Sequence, residues 1–115
     1  MSRDLSFWKI KEKSEAENKD IYKSLSEGKF LTYVNEIPVS QIIDDFHKAF
    51  IKWINHDNRY YEKDNEAFEL MTTYQFVRVD CYEMTVDNMN KVIDIMIKYD
   101  CPLYDAAIDV RFDRA

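Results

Sequence analysis

The stretch FELMTTYQFVRVDCYEM, residues 68–84, is one apolar run that changes parity midway. Phe68, Leu70, Thr72 and Tyr74 hold alternate positions in its first half, whereas Val77, Val79 and Cys81 hold the opposite parity in its second. A strand sends every second side chain to one face, so one continuous strand would turn half of these residues away from the core. A turn or bulge around residues 73–76 resolves the conflict, and a two-stranded hairpin is the preferred reading.

Such a hairpin needs amphipathic partners, and the chain supplies them. VSQIIDDFHKAFIKWIN, residues 39–55, repeats Val39, Ile42, Ile43, Phe46, Ala49, Phe50, Trp53 and Ile54 every three or four positions. Asp44, Asp45, His47, Lys48 and Lys52 fill the other side, so the single wide stripe must lie on a sheet or another helix. Thr85 caps a second long helix over residues 86–99, with Asp87 in its first turn and Val86, Met89, Val92, Ile93, Met96 and Ile97 on one face. Phe46, Phe50, Trp53, Val79, Val92 and Met96 are the expected core.

A shorter helix is expected over residues 18–27, stopped by Gly28. Further strands are expected at DLSFWKIK (4–11), FLTYVNEI (30–37) and AAIDVRFD (106–113). The order β-α-β-α-β-β-α-β predicts a single α+β domain over residues 1–115. Its sheet should be mostly antiparallel, with helices largely on one face.

Composition narrows the functional classes. A chain of 115 residues buries roughly two-thirds of its unfolded surface, enough for its own core. With one glycine and two prolines it suits neither a turn-rich sandwich nor a Gly-rich phosphate cradle. The net charge is −6, and it is unevenly placed. Residues 1–55 carry nine acids and nine bases; residues 56–115 carry thirteen acids and seven bases. An acidic half repels phosphates and anionic lipid, so direct nucleic-acid or membrane binding is not expected, while a basic protein would be attracted. The N-terminus is not signal-like, and no stretch approaches the ~20 apolar residues of a membrane span. Cys81 and Cys101 sit in apolar surroundings, which fits reduced, inert thiols in a cytoplasmic protein.

No catalytic, metal or cofactor motif emerges. His47 and His56 have no HxxxH, HExxH or Cys-x-x-Cys companion, and DNRYYEKDNEAF lacks the order that wraps calcium. The expectation is a non-enzyme without cofactor or metal. INHDNRYYEKDNEAFE, residues 54–69, stands out instead, for it is polar yet aromatic and has no strand assigned to it. Asp57, Glu62, Asp64 and Glu66 could contact a partner, with Tyr60 or Tyr61 as an aromatic anchor. Adjacent side chains point apart, so the two rings are not expected to share one core. Asp105, Asp109 and Asp113 form the next acidic candidate.

The segments MSRDLSFWK (1–9) and FVRVDCYEMTVDNMNKVIDIMIKYDCPLYD (76–105), about a third of the chain, resemble small bacterial immunity proteins of polymorphic toxins. Those of contact-dependent growth inhibition systems are the nearest. The resemblance implies a cytoplasmic inhibitor that binds the toxic domain of a sibling cell's effector, commonly a nuclease. Such families follow no fixed inhibitory motif, so no binding residue is carried over. A nuclease cleft must be basic to hold phosphates, and an acidic domain could occlude it. The alternative is a non-catalytic binding or regulatory module that assembles with itself or another host protein.

Overall fold

The parity change is a tight turn. The computed structural model describes residues 2–113 and runs β1 (Ser2–Phe7), α1 (Asn18–Ser26), α2 (Val39–Ala49), β2 (Ile54–His56), β3 (Tyr60–Lys63), β4 (Glu66–Thr73), β5 (Phe76–Tyr82), α3 (Val86–Ile97), β6 (Leu103–Asp105) and β7 (Val110–Arg111). Tyr74 and Gln75 join β4 to β5, and the register pairs Phe68 with Cys81, Leu70 with Val79 and Thr72 with Val77. The two parities of the run therefore meet on one face. All seven strands form one antiparallel sheet in the order β2-β3-β4-β5-β1-β6-β7.

That shared face carries the larger core. Leu5, Phe7, Tyr61, Phe68, Leu70, Val77, Val79 and Cys81 pack against Ile42, Phe46, Phe50 and Trp53 from α2 and its exit, and against Val92 and Met96 from α3. All six residues expected in the core are buried. Phe68 is its hub, with Phe50 edge-on at 4.8 Å and Tyr61 stacked at 4.8 Å between ring centroids. Such rings add about 0.5–1.5 kcal/mol per pair beyond the area they bury. Thr85 caps α3 as expected, its side chain accepting from the backbone N–H of Asn88 at 3.2 Å. The radius of gyration, 13.6 Å, is that of one domain of this length.

On the opposite face α1 lays Ile21 and Leu25 over Trp8, Phe76 and Tyr104, with Val34 alongside. Gly28 follows at φ +80°, the left-handed stop that glycine accepts without strain. The architecture is α+β, with α2 and α3 on one face and α1 on the other.

Four local expectations are corrected. Residues 30–37 form no strand; they make a single bridge, Ile10 to Val34. The buried side chain of Gln75 takes part of the bonding a neighbouring strand would have made, donating to the carbonyls of Leu31 and Val34 (2.7 and 2.8 Å) and accepting from the Leu31 N–H (2.9 Å). Residues 54–69, assigned no strand, supply β2, β3 and the start of β4. Asp57, Asn58 and Asp64 turn the chain at φ near +56°, a conformation that Asp and Asn tolerate in place of glycine. Asn55 braces the first turn, accepting from the Asn58 N–H at 2.9 Å.

The expected strand at 106–113 is broken as well. Strand β6 ends at Asp105, whose carboxylate accepts from the Ala107 N–H at 3.0 Å, and β7 begins after a turn containing Asp109 at φ +51°. Helix α2 also stops at Ala49, short of residue 55, and Ile54 at the end of its stripe is exposed on β2.

Candidate functional site

Helix α1 shields only the half of its face that lies over Trp8, Phe76 and Tyr104. The uncovered half is built from alternate residues of five strands. His56 pairs across to Tyr60, Tyr60 to Glu69, Glu69 to Asp80 and Asp80 to Asp4, one row running through β2, β3, β4, β5 and β1. The next row runs Ile54, Glu62, Ala67, Tyr82 and Ser2. Period-2 alternation thus gathers the Asp4, Glu62, Glu69 and Asp80 carboxylates and the Tyr60 and Tyr82 rings on one surface, with Arg78 and His56 as its basic groups.

The basic groups are engaged within the face. Arg78 clasps Asp80 through Nε to Oδ1 (3.0 Å) and Nη2 to Oδ2 (3.3 Å). His56 Nε2 lies 3.2 Å from Glu62 Oε2, and its ring centroid lies 5.7 Å from that of Tyr60. The Tyr22 hydroxyl, reaching down from α1, donates to Asp4 at 3.3 Å.

Like charges directly opposite one another in a sheet repel. Burial first, and then the neighbouring Asp80 carboxyl, push the Asp4 pKa above its ordinary value. Burial followed by Asp80 and Glu69 raises Tyr82, and burial followed by Asp4 raises Tyr22. Burial disfavours the charge on Arg78, but its hydrogen bonds to Asp80, together with the charges of Asp80, Tyr22 and Asp4, outweigh that and raise its pKa. The surface is a field of negative charge edged by aromatic rings, suited to receiving lysine or arginine side chains.

The sequence candidates are dispersed over this scaffold. Tyr60 and Glu62 stand on the open face. Asp57 and Asp64 occupy exposed turns at the two ends of β3. Tyr61 points the other way, is fully buried and belongs to the core. Glu66 is a structural tie: Oε1 accepts from the Thr85 N–H (2.7 Å) and from Asn88 Nδ2 (2.9 Å) at the start of α3. Burial opposes its charge, but these bonds win and lower its pKa.

The second acidic set is not a free surface either. Asp105 is buried against Arg3, Asp109 accepts from the Tyr104 hydroxyl at 2.7 Å, and Asp113 pairs with Arg111. Asp4, Glu69, Asp80 and Tyr82 were missed. The signal for the last three lay in the opposite parity of the hairpin, at Glu69, Asp80 and Tyr82; Asp4 joins them only through the pairing of β1 with β5.

Burial pushes the Cys81 and Cys101 thiols up to about 12 and about 11. His47 lies 3.3 Å from Asn55 on an exposed surface. Among the described residues no group of three or more His, Cys, Asp or Glu is placed to hold a metal ion, and no helix is long and apolar enough to cross a membrane. No family model, curated protein or solved structure matches the chain.

Proposed function

We propose that this protein is a non-catalytic immunity protein that acts in the cytoplasm. It neutralises a cognate toxin domain of a contact-dependent growth inhibition system by covering that domain's basic cleft, with a nuclease as the toxin class. The observation that carries this reading is the open half of the sheet, where Tyr60, Glu69, Asp80 and Asp4 form one row with Glu62 and Tyr82 beside it; Glu69 is exposed, Tyr60, Glu62 and Asp4 are half-buried, and Asp80 is held beneath by Arg78. Carboxylates in a fixed row can stand in for phosphates along a basic cleft, and a sheet face built on paired strands is pre-formed for docking.

The tips at Asp57 and Asp64 extend the negative field beyond the face and would steer the encounter more than hold the complex. Tyr60 and Tyr82 supply contact area with few torsions to freeze.

The test is co-expression with the protein encoded immediately upstream, followed by purification of the pair and kinetics at rising ionic strength. A stable complex is expected whose association slows at least tenfold between about 50 and 500 mM salt, with dissociation changing much less. Absence of a complex with that protein, or association indifferent to salt, would remove the reading.

A further inference from the structure

Away from the open face, a cavity of about 640 Å³ lies at the β6–β7 edge of the sheet. Ile93 and Ile97 from the last turns of α3, Ile10, Pro102, Leu103 and Phe112 give it apolar walls. That volume lies within the usual ~300–1,000 Å³ of small-molecule sites. Ile97 and Phe112 are both substantially exposed at its opening.

Arg111 makes this apolar cavity unusual. Its side chain is 7% exposed, and its guanidinium lies 5.0 Å from the Trp8 ring centre, donating through Nη2 to the Trp8 carbonyl at 2.7 Å. The Nε–H is buried with no acceptor, as is the indole N–H of Trp8 beneath it. The ion partner of Arg111, Asp113, is itself 53% exposed. Asp113 and Asp100 line the cavity together with Arg111 and Lys9, so a ligand carboxylate would have to displace the half-exposed Asp113 from the guanidinium, whose Nε–H is still without an acceptor. Lys9 adds a second positive charge to the wall, held only loosely by Asp100 at 3.7 Å. Cys101 shares that wall, but burial keeps its thiol protonated, so no covalent chemistry is expected there.

We propose that this cavity binds a small carboxylic acid with an apolar body, its carboxylate on Arg111 and its chain against Ile10, Ile97, Leu103 and Phe112. Octanoate is a suitable probe and octanol its neutral control, each titrated into the isotopically labelled protein and followed by heteronuclear NMR. Octanoate should give saturable shifts confined to the cavity residues, with octanol at least about tenfold weaker. Arg111→Gln should abolish the preference for the acid. Because Arg111 also anchors the Trp8 carbonyl, Ile97→Glu on the exposed wall is the second variant. It should lose octanoate binding with an unchanged thermal midpoint. No saturation up to about 5 mM octanoate, equal affinity for octanol, or full octanoate binding by Ile97→Glu would each overturn the proposal. Equal affinities would mark the cavity as a docking point for a neutral apolar group.

Discussion

Tyr61 buries its hydroxyl oxygen without a hydrogen-bond partner while its ring stacks on Phe68, and Tyr60, one position earlier, faces the open surface. An unsatisfied buried hydroxyl costs more than it returns. Tyr61→Phe should therefore gain about 1 kcal/mol in urea denaturation, whereas Tyr61→Ala should lose about 3–5 kcal/mol as other buried aromatics do. Tyr60→Ala should change stability by less than about 1 kcal/mol. Asp4 gives a pH signature at the same scale. Its folded pKa is raised, so its contribution to stability is fully present below its ordinary value of 3.8 and is lost as pH rises through the folded value. Asp4→Asn, which can still accept from Tyr22, should melt above the wild type at pH 7, with the gap closing below 3.8. A melting difference that is constant across pH would mean that burial and Asp80 do not raise the Asp4 pKa.

Among the elements, the N-terminus of α3 depends on two groups from different parts of the chain. The Thr85 hydroxyl accepts from Asn88, and the Glu66 carboxylate accepts from both the Thr85 N–H and the Asn88 side chain. Thr85→Ala should cost about 1 kcal/mol, and Glu66→Ala a similar amount, because each leaves helix-start donors unsatisfied. The Thr85 cap was legible in the sequence because capping is local. So were the long helices and the 68–84 hairpin, where apolar period and parity leave few alternatives. Glu66 read as a contact residue because its partners lie 19 and 22 positions away. The hairpin at 54–63 escaped notice because its turns use Asp and Asn at positive φ instead of glycine, and its short strands carry only Tyr61 as a core residue. The segment at 30–37 has strand composition, but its hydrogen bonds are divided between the backbone of Lys9, Lys11 and Tyr74 and one distant side chain, Gln75, which no local pattern announces.

For the whole molecule, the excess charge after residue 55 translates into geometry only through strand order. Placing β5 between β4 and β1 brings Asp80 between Glu69 and Asp4. Of the candidate contact residues, local chemistry pointed to Tyr60 and Glu62 on the face and to Asp57 and Asp64 at its rim; the acids at the centre of the face required the sheet. Separating surface charge from structural charge then decides which substitutions inform. Glu66, Asp105 and Asp80 hold the fold through Asn88, Arg3 and Arg78 and should stay native, whereas Glu62 and Glu69 project from the open face. The decisive measurement is survival of cells producing the cognate toxin domain alongside the double variant Glu62→Lys/Glu69→Lys, whose folding is checked by its thermal midpoint. Protection should be lost while the midpoint stays within a few degrees of the wild type, and full protection by the folded double variant would contradict docking through the open sheet.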